Sequence, residues 1–177
     1  MNVSNLLLIA GTGTKSGKTS LACKIIEQFK DLNIIGIKIS PHFHETTEGL
    51  ISISEDTGYA IYEETDRKST KDTSRMLRAG ASKVYFAKVW DEQLMNVFNK
   101  IMKYVPSDGP VICESPALRN FIEPGLFMII TSDTINKHKN ISHLQQLPHL
   151  MFKLEELQEI SSLPVVFENG RWTNASM

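Results

Sequence analysis

A glycine-rich segment between an apolar run and a helical pattern is the feature that most limits what this chain can fold into. Residues 11–19 read Gly-Thr-Gly-Thr-Lys-Ser-Gly-Lys-Thr. They follow the apolar run 6–10, which is typical of a strand covered on both faces, and they precede apolar residues spaced as on one face of a helix. A strand, a glycine-rich turn and a helix in this order predict a phosphate-binding loop, in which backbone N–H groups and the helix N-terminus enclose an anion.

The loop sequence also assigns roles to side chains. Lys18 would supply a cation to the outer phosphates, and the Thr19 hydroxyl would be the first ligand of Mg²⁺. A glycine-rich turn without a ligand is the alternative, but Gly-Lys-Thr at a helix start has no structural purpose that Ala or Glu would not serve better. The predicted nucleotide-binding residues are Thr12, Gly13, Thr14, Lys15, Ser16, Gly17, Lys18, Thr19 and Ser20.

Composition limits the partners of the chain. Its 177 residues are 41% hydrophobic, which predicts one globular domain over residues 1–177. The net charge of −1 argues against binding to nucleic acid or to a membrane surface, because both require a clustered excess of Lys and Arg. Cys23 and Cys113 lack metal or redox spacing, and no apolar run is long enough for a signal peptide or a membrane span, so a cytoplasmic location is expected.

Strand-like apolar runs alternate with helical patterns over most of the chain. The runs lie at residues 6–10, 34–39, 84–87, 111–113, 126–131 and 165–167. Such alternation predicts the α/β class, with a mostly parallel sheet flanked by helices. The clearest helix is expected over residues 91–104, where Asp91 can cap the start, and a weaker helical pattern spans residues 152–160.

Residues 50–64 follow a different pattern. Apolar and polar residues alternate on both sides of Glu55-Asp56-Thr57-Gly58, which predicts an inserted β-hairpin with its turn at Asp-Thr-Gly. The hairpin could project as a flap beside the nucleotide site, or it could extend the edge of the sheet.

Magnesium in a nucleotide site needs carboxylates, which come from elements beside the first strand. Glu114 ends the apolar run 111–113, so we expect it at the carboxyl edge of a buried strand, where open α/β sheets place their ligands. A solvated strand-end acid is the alternative. Asp72 precedes a short helix that ends at Gly80, and it would cap that helix, contribute to the metal site, or both. The predicted metal ligands are Thr19, Asp72 and Glu114.

The end of the second strand carries a further polar group. Lys38 interrupts an apolar strand, and a charge there is costly unless it reaches a phosphate or a carboxylate, so Lys38 joins Lys18 as a predicted catalytic cation. His42 and His44 would contact a polar substrate, bind a second metal, or lie solvated in a loop. A two-histidine site lacks the third ligand that transition metals usually require. The candidate substrate contacts are Ser40, His42, His44 and Ser115.

Three segments together resemble the molybdopterin-guanine dinucleotide biosynthesis protein B family: residues 11–20, residues 37–44, and residues 71–74 with 78–81. That family has a similar short chain, a phosphate loop, a Lys-His-x-His-His-like segment and an Asp-Ser/Thr…Ala-Gly-Ala helix. The resemblance covers about two thirds of the chain, and only the loop is highly specific. It implies a nucleotide-binding protein that assists a separate molybdenum-cofactor nucleotidyltransferase.

The loop is also similar to that of dethiobiotin synthetase, whose pattern Gly-Thr-x-Thr-x-x-Gly-Lys-Thr is met by residues 11–19. Lys38, Asp72 and Glu114 resemble a lysine, an aspartate and a glutamate of that family, but Ser115 and the residues after it replace its Glu-Gly-Ala-Gly-Gly continuation. Both families belong to the signal-recognition, MinD and BioD-like (SIMIBI) branch of phosphate-loop proteins. Membership implies the P-loop NTPase fold and often a homodimer across the nucleotide face.

These features predict binding and weak hydrolysis of GTP or ATP with Mg²⁺. The base stays open, because residues 136–139 read Asn-Lys-His-Lys and Lys139 stands where the guanine motif Asn-Lys-x-Asp has its aspartate. An accessory protein of the protein B type is one hypothesis. A dethiobiotin synthetase-like ATP-dependent ligase or a small-molecule kinase is the alternative.

Overall fold

The computed structural model describes residues 1–43, 46–134 and 139–175. Within these residues the strands are β1 (Asn2–Gly11), β2 (Ile35–Ser40), β3 (Leu50–Asp56), β4 (Tyr59–Glu64), β5 (Lys83–Val89), β6 (Val111–Glu114), β7 (Glu123–Thr131), β8 (Leu150–Lys153), β9 (Val165–Glu168) and β10 (Arg171–Asn174). The α-helices are α1 (Lys18–Gln28), α2 (Asp72–Ala79), α3 (Leu94–Met102) and α4 (Ser142–Gln145). Short 3₁₀ turns lie at Lys30–Leu32, Asp91–Gln93, Ala117–Asn120 and Leu154–Glu156.

Parallel pairing joins six strands around β1. The main sheet has eight strands in the order β3-β4-β5-β2-β6-β1-β7-β8. The strands from β5 to β8 in that order pair in parallel, whereas β4 runs antiparallel to both β3 and β5. The predicted α/β architecture with a mostly parallel sheet flanked by helices is therefore confirmed.

Helices cover both faces of this sheet, as buried parallel strands require. On one face, α1 and α2 bury Leu21, Ile25 and Met76 against the sheet. On the other face, α3 buries Val97 and Phe98. Among the described helices, none has the length and apolar character needed to cross a bilayer.

The inserted hairpin is present and lies at the edge of the sheet. β3 and β4 are joined at Thr57 and Gly58, and Gly58 adopts a left-handed φ of +82°. A Cβ on Gly58 would lie 2.7 Å from the Trp90 ring, so glycine fits both the backbone and the packing. Because β4 pairs with β5, the hairpin extends the sheet as the second of the two alternatives predicted.

Two helix-cap predictions are wrong. α3 begins at Leu94 rather than Asp91, which starts a 3₁₀ turn, and no side chain caps α3 among the described residues. Asp72 is the first residue of α2, whose N-cap position is held by Lys71 without a side-chain cap bond. The Asp72 carboxylate bonds to the Lys38 ammonium instead, which is the stronger partner.

In the last third of the chain, one prediction is wrong and another holds only in part. Residues 152–160 are not a helix, because β8 ends at Lys153 and a 3₁₀ turn follows. Parallel pairing with β7 overrides the local pattern. The strand predicted at residues 165–167 is present as β9, but it lies outside the main sheet and pairs antiparallel with β10, a strand that was not predicted.

Trp172 on β10 fixes this small sheet against the core. Its side chain is fully buried, and its ring centroid lies 5.3 Å from that of Phe29 and 4.9 Å from that of Phe167. Trp172→Ala should lower the free energy of unfolding by about 3–5 kcal/mol, because it leaves a large cavity. Urea denaturation followed by circular dichroism measures this loss. The control is Trp90→Ala at a half-exposed site, for which we expect about 1 kcal/mol or less, and equal losses would contradict the packing assigned to Trp172.

Candidate functional site

A cavity of about 610 Å³ opens at the carboxyl ends of β1, β2 and β6. Most of the glycine-rich loop lines it, namely Gly13, Thr14, Lys15, Gly17, Lys18, Thr19 and Ser20. Lys38, Ser40, His42, Asp72 and Glu114 line it as well. The structure thus brings twelve of the residues chosen from sequence around one space, although they are spread over a hundred positions of the chain.

Three of the predicted residues do not line this cavity, and a fourth lies outside the described residues. Thr12 does not line the cavity, and its hydroxyl donates to Thr131 Oγ1 at 2.9 Å. Ser16 is completely buried. Ser115 lines an adjoining smaller cavity. His44 lies outside the described residues, as do residues 136–138 of the compared guanine motif.

The backbone of the loop adopts conformations that glycine permits. Gly17, directly before α1, has a φ of +99°, and a Cβ there would lie 2.7 Å from the Leu154 side chain. No side chain in the described chain caps the N-terminus of α1, and its first turn has no acidic residue. The positive end of the helix dipole therefore faces the cavity without compensation by the protein.

Lys18 folds back over the loop. Its ammonium Nζ donates to the Gly13 carbonyl at 3.2 Å and lies 3.5 Å from Ser16 Oγ. Burial lowers the pKa of Lys18, and the positive charges of Lys38 and Lys139 lower it further, while Glu114 opposes them. An anion in the cavity would raise the pKa of Lys18 again, because it would favour the charged ammonium.

Lys38 holds two carboxylates at the edge of the sheet. Parallel register sets Lys38 on β2 beside Glu114 on β6. Its ammonium bonds to Asp72 Oδ2 and lies 3.6 Å from Glu114 Oε2. On the outer side of Asp72, Arg75 Nη1 lies 3.6 Å from Oδ1, and Arg75 Nη2 donates to Ser20 Oγ at 3.1 Å. The charge predicted for Lys38 is therefore balanced by carboxylates.

The two carboxylates have pKa shifts of opposite sign. Burial alone would raise the pKa of Asp72, but the Lys38 ammonium, the Thr19 hydroxyl and Arg75 together lower it. Burial raises the pKa of Glu114, and the neighbouring charge of Asp72 adds to this effect, although Lys38 and Thr19 oppose it. Within the described chain, neither oxygen of Glu114 has a hydrogen-bond partner of normal geometry. Glu114 is thus a buried carboxylate that lacks full compensation.

These residues fit a magnesium ion. The described chain contains no cluster of three or more His, Cys, Asp or Glu side chains that could hold a metal by themselves. Mg²⁺ does not require one, since it is commonly bound by one or two carboxylates, a hydroxyl, water and phosphate oxygens. Thr19, Asp72 and the unsatisfied Glu114 offer such a donor set. Among the described residues, the two-histidine metal site predicted at His42 and His44 is represented by His42 alone, because His44 lies outside them.

Seven residues that line the cavity were not predicted from the sequence. They are Gly11, Ile39, Pro41, Arg75, Pro116, Lys139 and Leu154. Arg75 carried a usable signal, because it follows Asp72 by three positions and shares its helix face. Leu154 carried none, and Lys139 was noted only in the comparison with the guanine motif. Lys139 comes to the loop through a tertiary contact, the bond from its backbone N to Thr12 O at 2.8 Å.

Comparison with known proteins supports the fold. No protein-family model matches the chain, and no curated protein matches its sequence. Among solved structures, the chain is similar to LpxK from Aquifex aeolicus in complex with ATP, with a TM-score of 0.53 and 11% sequence identity. The match covers 92% of this chain and 52% of that one, so the chain spans about half the length of that protein. The chain has the P-loop NTPase fold.

The pKa shifts at the site predict opposite effects of two isosteric substitutions in the protein without nucleotide. Glu114→Gln should raise the melting temperature at neutral pH by about 2–4 °C, equivalent to roughly 1 kcal/mol for a domain of this size, because it removes an uncompensated buried charge. Asp72→Asn should lower the melting temperature by a smaller amount, because it breaks a partly exposed ion pair.

The pH dependence gives the sign of each effect. The raised pKa of Glu114 means that its destabilising charge develops as pH rises through that pKa, so the gain from Glu114→Gln should vanish toward about pH 4. The lowered pKa of Asp72 means that its stabilising contribution is present above the ordinary aspartate value and is lost as pH falls through the lowered one. Thermal melts from about pH 2 to pH 8 cover both ranges, and melting-temperature shifts of the same sign for the two variants at neutral pH would contradict this electrostatic assignment.

Proposed function

We propose that the protein binds a nucleoside triphosphate with Mg²⁺ in the larger cavity and slowly hydrolyses its terminal phosphate. One observation carries the proposal: the uncapped N-terminus of α1 and the unsatisfied carboxylate of Glu114 line the same cavity. The first needs an anion and the second needs a cation. A polyphosphate with its magnesium ion supplies both.

The residues of the chain have distinct tasks in this proposal. The loop amides and Lys18 hold the phosphate chain and stabilise the charge that develops on it. Thr19, Asp72 and Glu114 would hold Mg²⁺, which neutralises phosphate charge and orients the phosphate oxygens. With Mg²⁺ at these carboxylates, the Lys38 ammonium would be available to bind the terminal phosphate. Catalysis is then mostly electrostatic positioning.

ATP is the first nucleotide to test, since the similar LpxK structure is in complex with ATP, and GTP is the second. For the biological role, we infer an accessory protein that acts as a homodimer beside a molybdenum-cofactor nucleotidyltransferase. This inference depends on the segments similar to the protein B family. Slow hydrolysis agrees with an accessory role. The Lys38 ammonium is paired with Asp72 and Glu114, so it is not available to a phosphate unless those contacts are broken.

Phosphoryl transfer to a small molecule is the second candidate function. A second cavity of about 230 Å³ shares wall residues with the first, and simple hydrolysis gives it no purpose. Turnover measured alone and with candidate acceptors separates the two functions. Fast hydrolysis by the isolated protein would exclude the accessory role.

Lys18→Ala tests the phosphate site. It should leave the fold intact and weaken ATP binding about tenfold or more, because it removes an ammonium from the phosphate chain. Isothermal titration calorimetry with excess Mg²⁺ measures the affinity. Lys30→Ala, at an exposed site after α1, is the matched control and should bind like wild type. Equal affinities of wild type and Lys18→Ala would reject the site.

Thr19→Ala tests the metal site. It should mainly reduce the gain in ATP affinity that Mg²⁺ provides, because it removes a predicted metal ligand but no phosphate-binding cation. Titrations with and without Mg²⁺ give this gain for each protein. If Mg²⁺ strengthens ATP binding equally in wild type and Thr19→Ala, Thr19 is not a ligand.

A further inference from the structure

The second cavity lies against the larger one, at the carboxyl ends of β2, β5 and β6. Ile39, Pro41, Pro116 and Lys139 line both cavities. Pro116 is only two positions after Glu114, so the shared wall stands beside the end of the site where the metal-binding carboxylates lie. If a nucleotide in the larger cavity has its metal ion at these carboxylates, a molecule in the smaller cavity would lie next to the terminal phosphate.

The lining of this cavity is apolar in its depth and polar at its mouth. Ile39, Val89, Leu94, Ile141 and Leu144 contribute buried side chains, none more than 8% exposed. Exposed polar residues, Asp91, Asn120, Asn140 and His143, are found among the lining residues. This division is typical of pockets for small organic molecules, which combine apolar walls with a few polar groups.

Apolar surface continues outside the cavity. Phe43 and Trp90 are 48% and 52% exposed, and their ring centroids lie 6.0 Å apart. Phe43 follows Pro41 by two positions, and Trp90 lies between Val89 and Asp91 of the lining. Exposed aromatic pairs beside an apolar pocket favour a ligand with an apolar body.

We propose that the smaller cavity binds the phosphoryl acceptor, a small molecule with an apolar body and one oxygen nucleophile, either a hydroxyl or a carboxylate. Its volume of about 230 Å³ corresponds to about eight water molecules at ~30 Å³ each. The proposal rests on nucleotide binding in the larger cavity. It explains why Ser115, chosen from sequence as a substrate contact, lines the smaller cavity instead of the phosphate site.

The reaction balances without a further reactant. The acceptor oxygen bonds to the terminal phosphorus, the bond from that phosphorus to the bridging oxygen breaks, and the electron pair leaves with the nucleoside diphosphate. A carboxylate gives an acyl phosphate and releases no proton. A hydroxyl gives a phosphate ester, and its proton passes to a phosphate oxygen. Lys38 in the larger cavity and Lys139 in the wall that the two cavities share neutralise the charge of the reacting groups.

Methyl NMR tests the site with defined probes. Benzoate and benzyl alcohol match its size, and glycerol is a polar control. At millimolar concentration the two aromatic probes should shift the methyl signals of Ile141 and Leu144, and glycerol should not. Ala117→Phe should abolish these shifts, because Ala117 lines only the smaller cavity and a ring there fills it. Ala175→Phe, also exposed but remote from both cavities, is the matched control and should retain them.

Linkage to the nucleotide separates an acceptor site from an adventitious apolar pocket. Saturation with Mg²⁺ and a non-hydrolysable ATP analogue should change the probe affinity at least about threefold, because the two cavities share walls. The probe whose affinity rises, benzoate or benzyl alcohol, identifies carboxylate or hydroxyl as the nucleophile. No shifts at Ile141 and Leu144, shifts that persist in Ala117→Phe, or unchanged probe affinity would each overturn the proposal.

The same spectra test the proposed function separately. Leu154 lines only the larger cavity, so its methyl signals report on the nucleotide. If the ATP analogue leaves Leu154 unchanged while the probes shift Ile141, nucleotide binding fails and the smaller site stands without its partner. If Leu154 shifts and the probes have no effect, the acceptor site alone fails.

Discussion

The burial of unlike charges at one edge of a parallel sheet is the constraint on which the site depends. The register of β2 against β6 places Lys38 beside Glu114, and α2 brings Asp72 to the same ammonium. Charges in such a place are costly unless they are paired. The Lys38 ammonium compensates the charge of Asp72 well and that of Glu114 incompletely. A further cation at this edge of the sheet would therefore be stabilising.

The glycine-rich loop, in contrast, has uncompensated positive charge that favours an anion. α1 begins directly after Gly17 with no side-chain cap within the described residues, and Lys18 is held against the loop carbonyl of Gly13. An anion in the cavity would gain from both the helix dipole and the ammonium. The helix N-terminus and the carboxylates line the same cavity. This is the physical reason to expect an anion and a divalent cation to bind there together.

The sequence was informative where chemistry and position coincide. A strand, a glycine-rich loop and a helix identify the start of the fold, and Glu114 at the end of a buried strand could be placed because parallel strands end at one edge. The inserted hairpin was also predictable from its period and its Gly58 turn.

Predictions failed where tertiary contacts override local pattern. Asp72 looks like a helix cap in the sequence, but its carboxylate bonds to a lysine that lies far away in the chain. Residues 150–153 form a strand only because β7 provides a partner. Lys139 and Leu154 reach the loop from segments that are distant in the sequence, so local patterns do not place them there. The smaller cavity is formed by residues of several elements, and no local sequence pattern predicts that these elements are adjacent.

The most direct test of nucleotide binding at this site is a crystal structure with a non-hydrolysable ATP analogue and Mg²⁺. We expect the loop amides before α1 to enclose the phosphates, and Thr19 with at least one of Asp72 and Glu114 to approach the metal. We also expect the Lys38 ammonium to move from Asp72 toward the terminal phosphate. A nucleotide bound away from the loop, or phosphates that leave the Lys38–Asp72 pair and Glu114 unchanged, would contradict this assignment of the site.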